Sequence, residues 1–190
     1  MLCATLAVVA VGWAPDAPAA TAAARTPRAS AAAPCPGATL VPSPIDTPAV
    51  EGATLCLVNQ VRAAHHLHTL RANGSLLAVA ASQVSTMVSR NYFSDVRPGG
   101  QTPLALVRVS RYRAHAAVLS VGQNIAWGTG SFATPAHIVS EWMASAPHRA
   151  VILTAQYRDA GVAVDPDVPD VLRANGGGAT YAMEFGVRRR

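Results

Sequence analysis

Two alternating stretches, Arg158 to Asp165 (RDAGVAVD) and Ala179 to Val187 (ATYAMEFGV), restrict the fold more than any other part of this chain. Both are short and apolar, and the second carries Tyr181, Met183 and Phe185 at every other position, the spacing of a strand with one buried face. Only a Pro- then Gly-rich loop, residues 167–178, separates them. Parallel neighbours need a crossover element, which that loop does not provide, so the strands are expected to pair antiparallel. Helical patterns come first in the chain and strands afterwards, which argues for segregated α+β packing.

The helices are marked by spacing and by caps. Leu55, Val58, Val61 and Ala64/His65 recur at helical spacing from about Thr54, with Asn59 and Arg62 off the stripe. Asn73-Gly74-Ser75 caps a second helix from about Leu76 to Arg90, whose expected buried face is Leu77, Ala80/Ala81, Val84 and Met87/Val88. Asn91 to Gly100 reads as a polar loop opened by a core aromatic pair, Tyr92-Phe93. Thr102-Pro103 and Thr134-Pro135 each place a cap before a first-turn proline, predicting helices to about Val109 and Ser145. The second of these buries Ile138/Val139, Trp142 and Met143, breaks at Pro147, and presents His148 and Arg149 ahead of Val151-Ile152-Leu153. Val118 to Trp127 reads as a short extended or loop segment, in which Gln123 and Asn124 must find partners, expected to be the backbone of nearby loops.

The first fifty residues are a different material. Leu2 to Ala14 has the length and apolarity of a signal h-region, followed by A-x-A-like cleavage points, although no positive residue precedes it. Residues 1–20 are therefore expected to be a signal peptide, residues 21–52 an Ala/Pro-rich linker and residues 53–190 the folded domain. The expected location is secreted, extracellular or associated with the cell envelope, with no membrane span left after cleavage. Cys3 would leave with the signal. Cys35 and Cys56 in an exported chain most simply form a disulfide; the alternative is a buried free Cys56 with an exposed Cys35.

All fifteen basic residues are Arg, and the net charge of +5 favours acidic partners such as envelope polymers or lipid head groups. No aromatic-studded basic stripe supports nucleic-acid binding. His65, His66 and His68 lack a neighbouring Cys or carboxylate and read as exposed helix-end residues rather than a metal site.

Five stretches in order resemble the CAP superfamily (cysteine-rich secretory, antigen 5, pathogenesis-related 1) in its exported bacterial form. They are Cys56-Leu-Val-Asn-Gln-Val-Arg62, Asn91-Tyr-Phe-Ser94 with Pro98-Gly-Gly100, Gly122-Gln-Asn-Ile-Ala126, the Trp142 to Leu153 segment with Ser145 and His148-Arg149, and Gly161-Val-Ala-Val164 with Tyr181 to Gly186. The resemblance implies a three-layer α-β-α sandwich with a central antiparallel sheet and a wide cleft. It also implies a cleft lined by two His and two acids. Of these only His148 is matched; Asp95 stands at the other His, Gln123 at the Glu of the family's Gly-Glu-Asn segment, and Glu141 is a loose substitute for the second acid. Such a set would hold zinc weakly at best, so no metal and no cofactor are expected. An Asp95–His148 pair, if formed, would favour imidazolium and anion contact.

The expected function is binding, not catalysis: a degenerate cleft taking a lipid, sterol-like or cell-envelope ligand. Two alternatives are a hydrolase or peptidase working through His148 and Asp95, and a structural envelope protein. A Ser145-His148-Asp95 triad can be drawn, but no nucleophile elbow or oxyanion loop accompanies it. Trp127 and Trp142 are expected in the core. The sequence does not define the oligomeric state.

Overall fold

The computed structural model describes residues 33–114, 116–173 and 177–189. The expected signal peptide and the linker up to residue 32 lie outside these. The ordered chain starts inside the stretch read as linker. Turns over residues 36–39 and 44–46 lead into helix α1, Thr47–Ala64, seven residues ahead of the expected start. Thr47-Pro48 is a third instance of the first-turn proline signature, and Ser43 braces it by donating to Asp46 Oδ2 at 2.6 Å. The Cys35–Cys56 disulfide ties this entry segment to the middle of α1, with the Cα atoms 5.8 Å apart.

After α1 come β1 (Arg71–Ala72), α2 (Gly74–Ser89), α3 (Pro103–Val109), β2 (Val118–Thr129), α4 (Pro135–Ala144), α5 (Ala146–Ile152), β3 (Asp159–Asp165) and β4 (Gly178–Arg189). The sheet order is β1-β3-β4-β2, and β4 is antiparallel to both neighbours, as the short connection demands. Two-residue β1 adds a parallel edge. The segment read as short or irregular at Val118 is a twelve-residue strand, because β4 supplies it with a full-length ladder from Val118↔Arg189 to Thr129↔Gly178. The chain after Pro147 is a further helix turn, not an approach to a strand: Pro147 opens α5.

Alternation along the strands sorts the core into two faces. Ala160, Val162, Val164, Tyr181, Met183, Phe185 and Val187 meet α1, α4 and α5 on one side. Ile125, Ala163 and Ala182 meet α2 on the other, joined by Tyr92 and Phe93 as expected. The result is the three-layer α-β-α sandwich. Helix α2 turns a face centred on Leu76, Val79, Ala80, Val84 and Met87 to the sheet, so the stripe begins at Leu76, and Leu77 is exposed. Its closeness to β3 depends on Gly161, where a Cβ would lie 2.0 Å from the Leu77 nitrogen.

Arg62, placed off the buried stripe by spacing, is completely buried. Its guanidinium donates to the carbonyls of His68, Ile152, Thr154 and Tyr157, closing the C-terminal end of α5 against α1. The cation is satisfied by backbone dipoles instead of a carboxylate. Burial, and after it the Arg158 charge, pulls its pKa below the usual guanidinium value.

Candidate functional site

The expected cleft residues come from three places. Asp95 sits on the loop after α2, Gln123 on edge strand β2, and His148 on the first turn of α5. The α2 loop is pinned from beneath: Gln83 Nε2 donates to the Ser94 carbonyl at 2.9 Å, and Arg97 Nε donates to Gln83 Oε1 at 2.9 Å. Arg97 also reaches Ser82 Oγ at 3.0 Å. On the opposite side, Asn124 Nδ2 donates to the His148 carbonyl at 3.1 Å, fastening α5 to β2. That matches the expected backbone partner for Asn124. Arg149 turns back and donates to the Met143 carbonyl at 2.6 Å, so it caps α4 and does not face a ligand.

Asp95 lies within electrostatic reach of His148 without a direct ion pair. Burial raises the Asp95 pKa and the His148 charge opposes that rise. Glu141 does not join them; it is exposed on α4 and faces His137 at 3.9 Å, one helical turn away. Ser145 links α4 to α5 and its side chain makes no capping bond. Trp142 is core and donates to the Ile125 carbonyl at 3.1 Å, whereas Trp127 is exposed. Among the described residues no three His, Cys, Asp or Glu side chains gather in a way that could hold a metal ion.

The residue that sequence reasoning missed is Glu184. Cross-strand register puts it directly opposite Gln123, on the sheet face that α2 covers, and it is fully buried. Gln123 Nε2 donates to Glu184 Oε1, a side-chain partner instead of the expected loop backbone. Glu184 Oε2 and Gln123 Oε1 are then both without a donor. A protonated Glu184 would gain a donor, which a carboxylate lacks, and an amide oxygen such as that of Gln123 accepts from such a group. Burial pushes the Glu184 pKa up to about 7; the Gln123 bond opposes this, Asp95 adds to it, and Arg97 opposes it. A carboxyl group thus lies beside position 123, contributed by the neighbouring strand. A lone Glu inside an apolar strand was the available signal.

A depression lies next to this cluster. A groove of about 740 Å³ runs between α2 and α3, with Ala78, Val79, Leu106 and Val109 as its apolar lining and Arg97 and Arg111 as its cations. Arg97 belongs to both the groove and the polar cluster.

Helical layers on both faces of a small mixed sheet, with a His-bearing helix turn at its edge strand, define a CAP-type domain. The chain belongs to the CAP family, the cysteine-rich secretory protein family, whose model matches residues 55–170. Among solved structures, an extracellular SCP-domain protein of Bacillus anthracis superposes with a TM-score of 0.57 at 23% identity, over 78% of this chain and 44% of its own. An outer surface protein of Borrelia burgdorferi gives 0.57 at 16% identity, over 71% of this chain and 90% of its own. A cysteine-rich secretory protein of Staphylococcus aureus gives 0.50 at 19% identity, over 75% and 40%. The chain thus spans less than half of the Bacillus and Staphylococcus proteins. No curated protein sequence matches it. Among the described residues, no helix is long and apolar enough to cross a membrane.

Proposed function

We propose that this is an exported binding protein, without catalytic activity, for an amphiphilic anion of lipid type, held with its chain in the α2/α3 groove and its head at Arg97. The observation that carries this reading is the groove itself: its volume of about 740 Å³, apolar lining and two arginines suit a molecule that is part hydrocarbon and part acid. Val109, 87% exposed beside the groove, is a large side chain with no internal partner, which a hydrocarbon chain would cover. The Asp95, Gln123, Glu184 and His148 cluster adjoins this site through Arg97 and tunes the charge at its polar end. Export accords with the disulfide and with the extracellular and surface settings named for the Bacillus and Borrelia proteins.

The test uses oleate and lysophosphatidate as probes, followed by native mass spectrometry and by displacement of a fluorescent fatty acid. The wild type is expected to retain one molecule. Ala78→Trp, which fills the groove from an exposed helix position, is expected to weaken binding at least about tenfold, or 1.4 kcal/mol. Failure of both probes to bind, or equal binding by the variant, would refute the assignment.

A further inference from the structure

At the far end of the sheet, where β1, β3 and β4 terminate, a second depression of about 370 Å³ is lined by Arg71, Asn73, Arg158, Asp159 and Arg188. Three arginines and one aspartate line it, and Arg71 is the one paired with the carboxylate. Asp159 is already committed: its Oδ2 accepts from the Tyr112 hydroxyl at 2.9 Å and its Oδ1 is 3.2 Å from Arg71. The cations that remain are held in place without being neutralised. Arg158 donates through Nη1 to the carbonyls of Ala155 and Tyr157 at 2.6 and 2.9 Å. Arg188 donates through Nη1 to the Tyr112 carbonyl at 3.3 Å and lies 5.1 Å from the centre of the Tyr112 ring. Among the described residues neither has a carboxylate partner, and each keeps further N–H donors. Asn73 Oδ1 accepts from the Ser75 and Leu76 N–H groups and so caps α2, which leaves the side-chain N–H₂ uncommitted among the described residues.

We propose that this pocket binds a phosphate dianion, free or as a monoester, on Arg158, Arg188 and Asn73. Charge selects the ligand class. Three arginines less one aspartate leave two positive charges, which a phosphate carrying about −1.5 to −2 at neutral pH balances and a single carboxylate does not. Guanidinium forks match phosphate oxygens in pairs, and backbone anchoring has already removed much of the arginines' rotational freedom. This site is separate from the α2/α3 groove reading and stands or falls without it.

The experiment titrates the full chain with inorganic phosphate at pH 8 and constant ionic strength, following side-chain N–H signals by NMR, with acetate as the monoanion control. The expected result is saturable shifts at the arginine Nε–H and Asn73 amide signals with phosphate and not with acetate. Arg158→Ala/Arg188→Ala is expected to weaken binding at least about tenfold, while exposed Arg113→Ala, outside the pocket, leaves it unchanged. If the double variant does not fold, the wild-type titration still decides through which signals move. Vesicles containing phosphatidate, against phosphatidylcholine alone, then separate a lipid head group from free phosphate. Absence of saturation by phosphate, equal response to acetate, or full binding by the folded double variant would overturn the site.

Discussion

A carboxyl group enclosed between a sheet and a helix avoids an uncompensated charge most simply by keeping its proton. Glu184 does this with Gln123 as partner, and its ionisation behaviour is measurable. Its folded pKa of about 7 lies above the ordinary carboxylate value of 4.5. The stability it contributes is therefore complete below about pH 4.5 and is lost as pH rises through about 7, by on the order of 3 kcal/mol in total. Urea unfolding between pH 4.5 and 8 is expected to show this decline in the wild type and a flatter profile in Glu184→Gln, which keeps an amide–amide pair. Parallel profiles would show that Glu184 ionises normally. The pairing could not be read beforehand because alternation sent Met183 to the core and Glu184 to a face with no visible cover. That α2 covers the second face is a property of the packing, and only register reveals that position 184 lies opposite 123. His148 and Asp95, by contrast, were named from the family resemblance, and so was Glu141 as a loose substitute, whose carboxylate faces His137 one turn along the same helix.

Between elements, two contacts decide how the layers close. The Arg62 guanidinium joins α1 to the end of α5 through backbone carbonyls alone. Arg62→Met fills similar space but strands those carbonyls, and a loss of about 3–5 kcal/mol is expected in denaturant unfolding. A loss below about 1 kcal/mol would mean that water takes the place of the cation. Gly161 lets α2 lie on β3, and Gly161→Ala is expected to cost about 3 kcal/mol or more, since the added carbon meets helix backbone and not a movable side chain. Thermal melts of that variant would read it directly. The caps of α2, α3 and α4 were readable because Asn73, Thr102 and Thr134 act within three residues of their own position. The burial of Arg62 was not, because its partners lie up to 95 residues away.

At the scale of the whole domain, the Cys35–Cys56 bridge ties residues from 33 onward, the described part of what composition marked as linker, to the folded unit. Ala, Pro and Ser are poor at burial, but a covalent tie and Thr47-Pro48 order them anyway. The double change Cys35→Ser/Cys56→Ser is expected to lower stability by roughly 3 kcal/mol with the sheet intact, judged by urea unfolding and far-UV dichroism. An unchanged midpoint would make the tie incidental. The order of strands has a consequence of another kind. Strand β4 follows β2 and β3 in the chain, yet it lies between them in the sheet and pairs with both. Neither of those two ladders can form before residues 178–189 have been made; the two-residue β1–β3 pairing does not depend on them. The α1 helix and the Cys35–Cys56 bridge, being local, need neither ladder and can form before the sheet shuts.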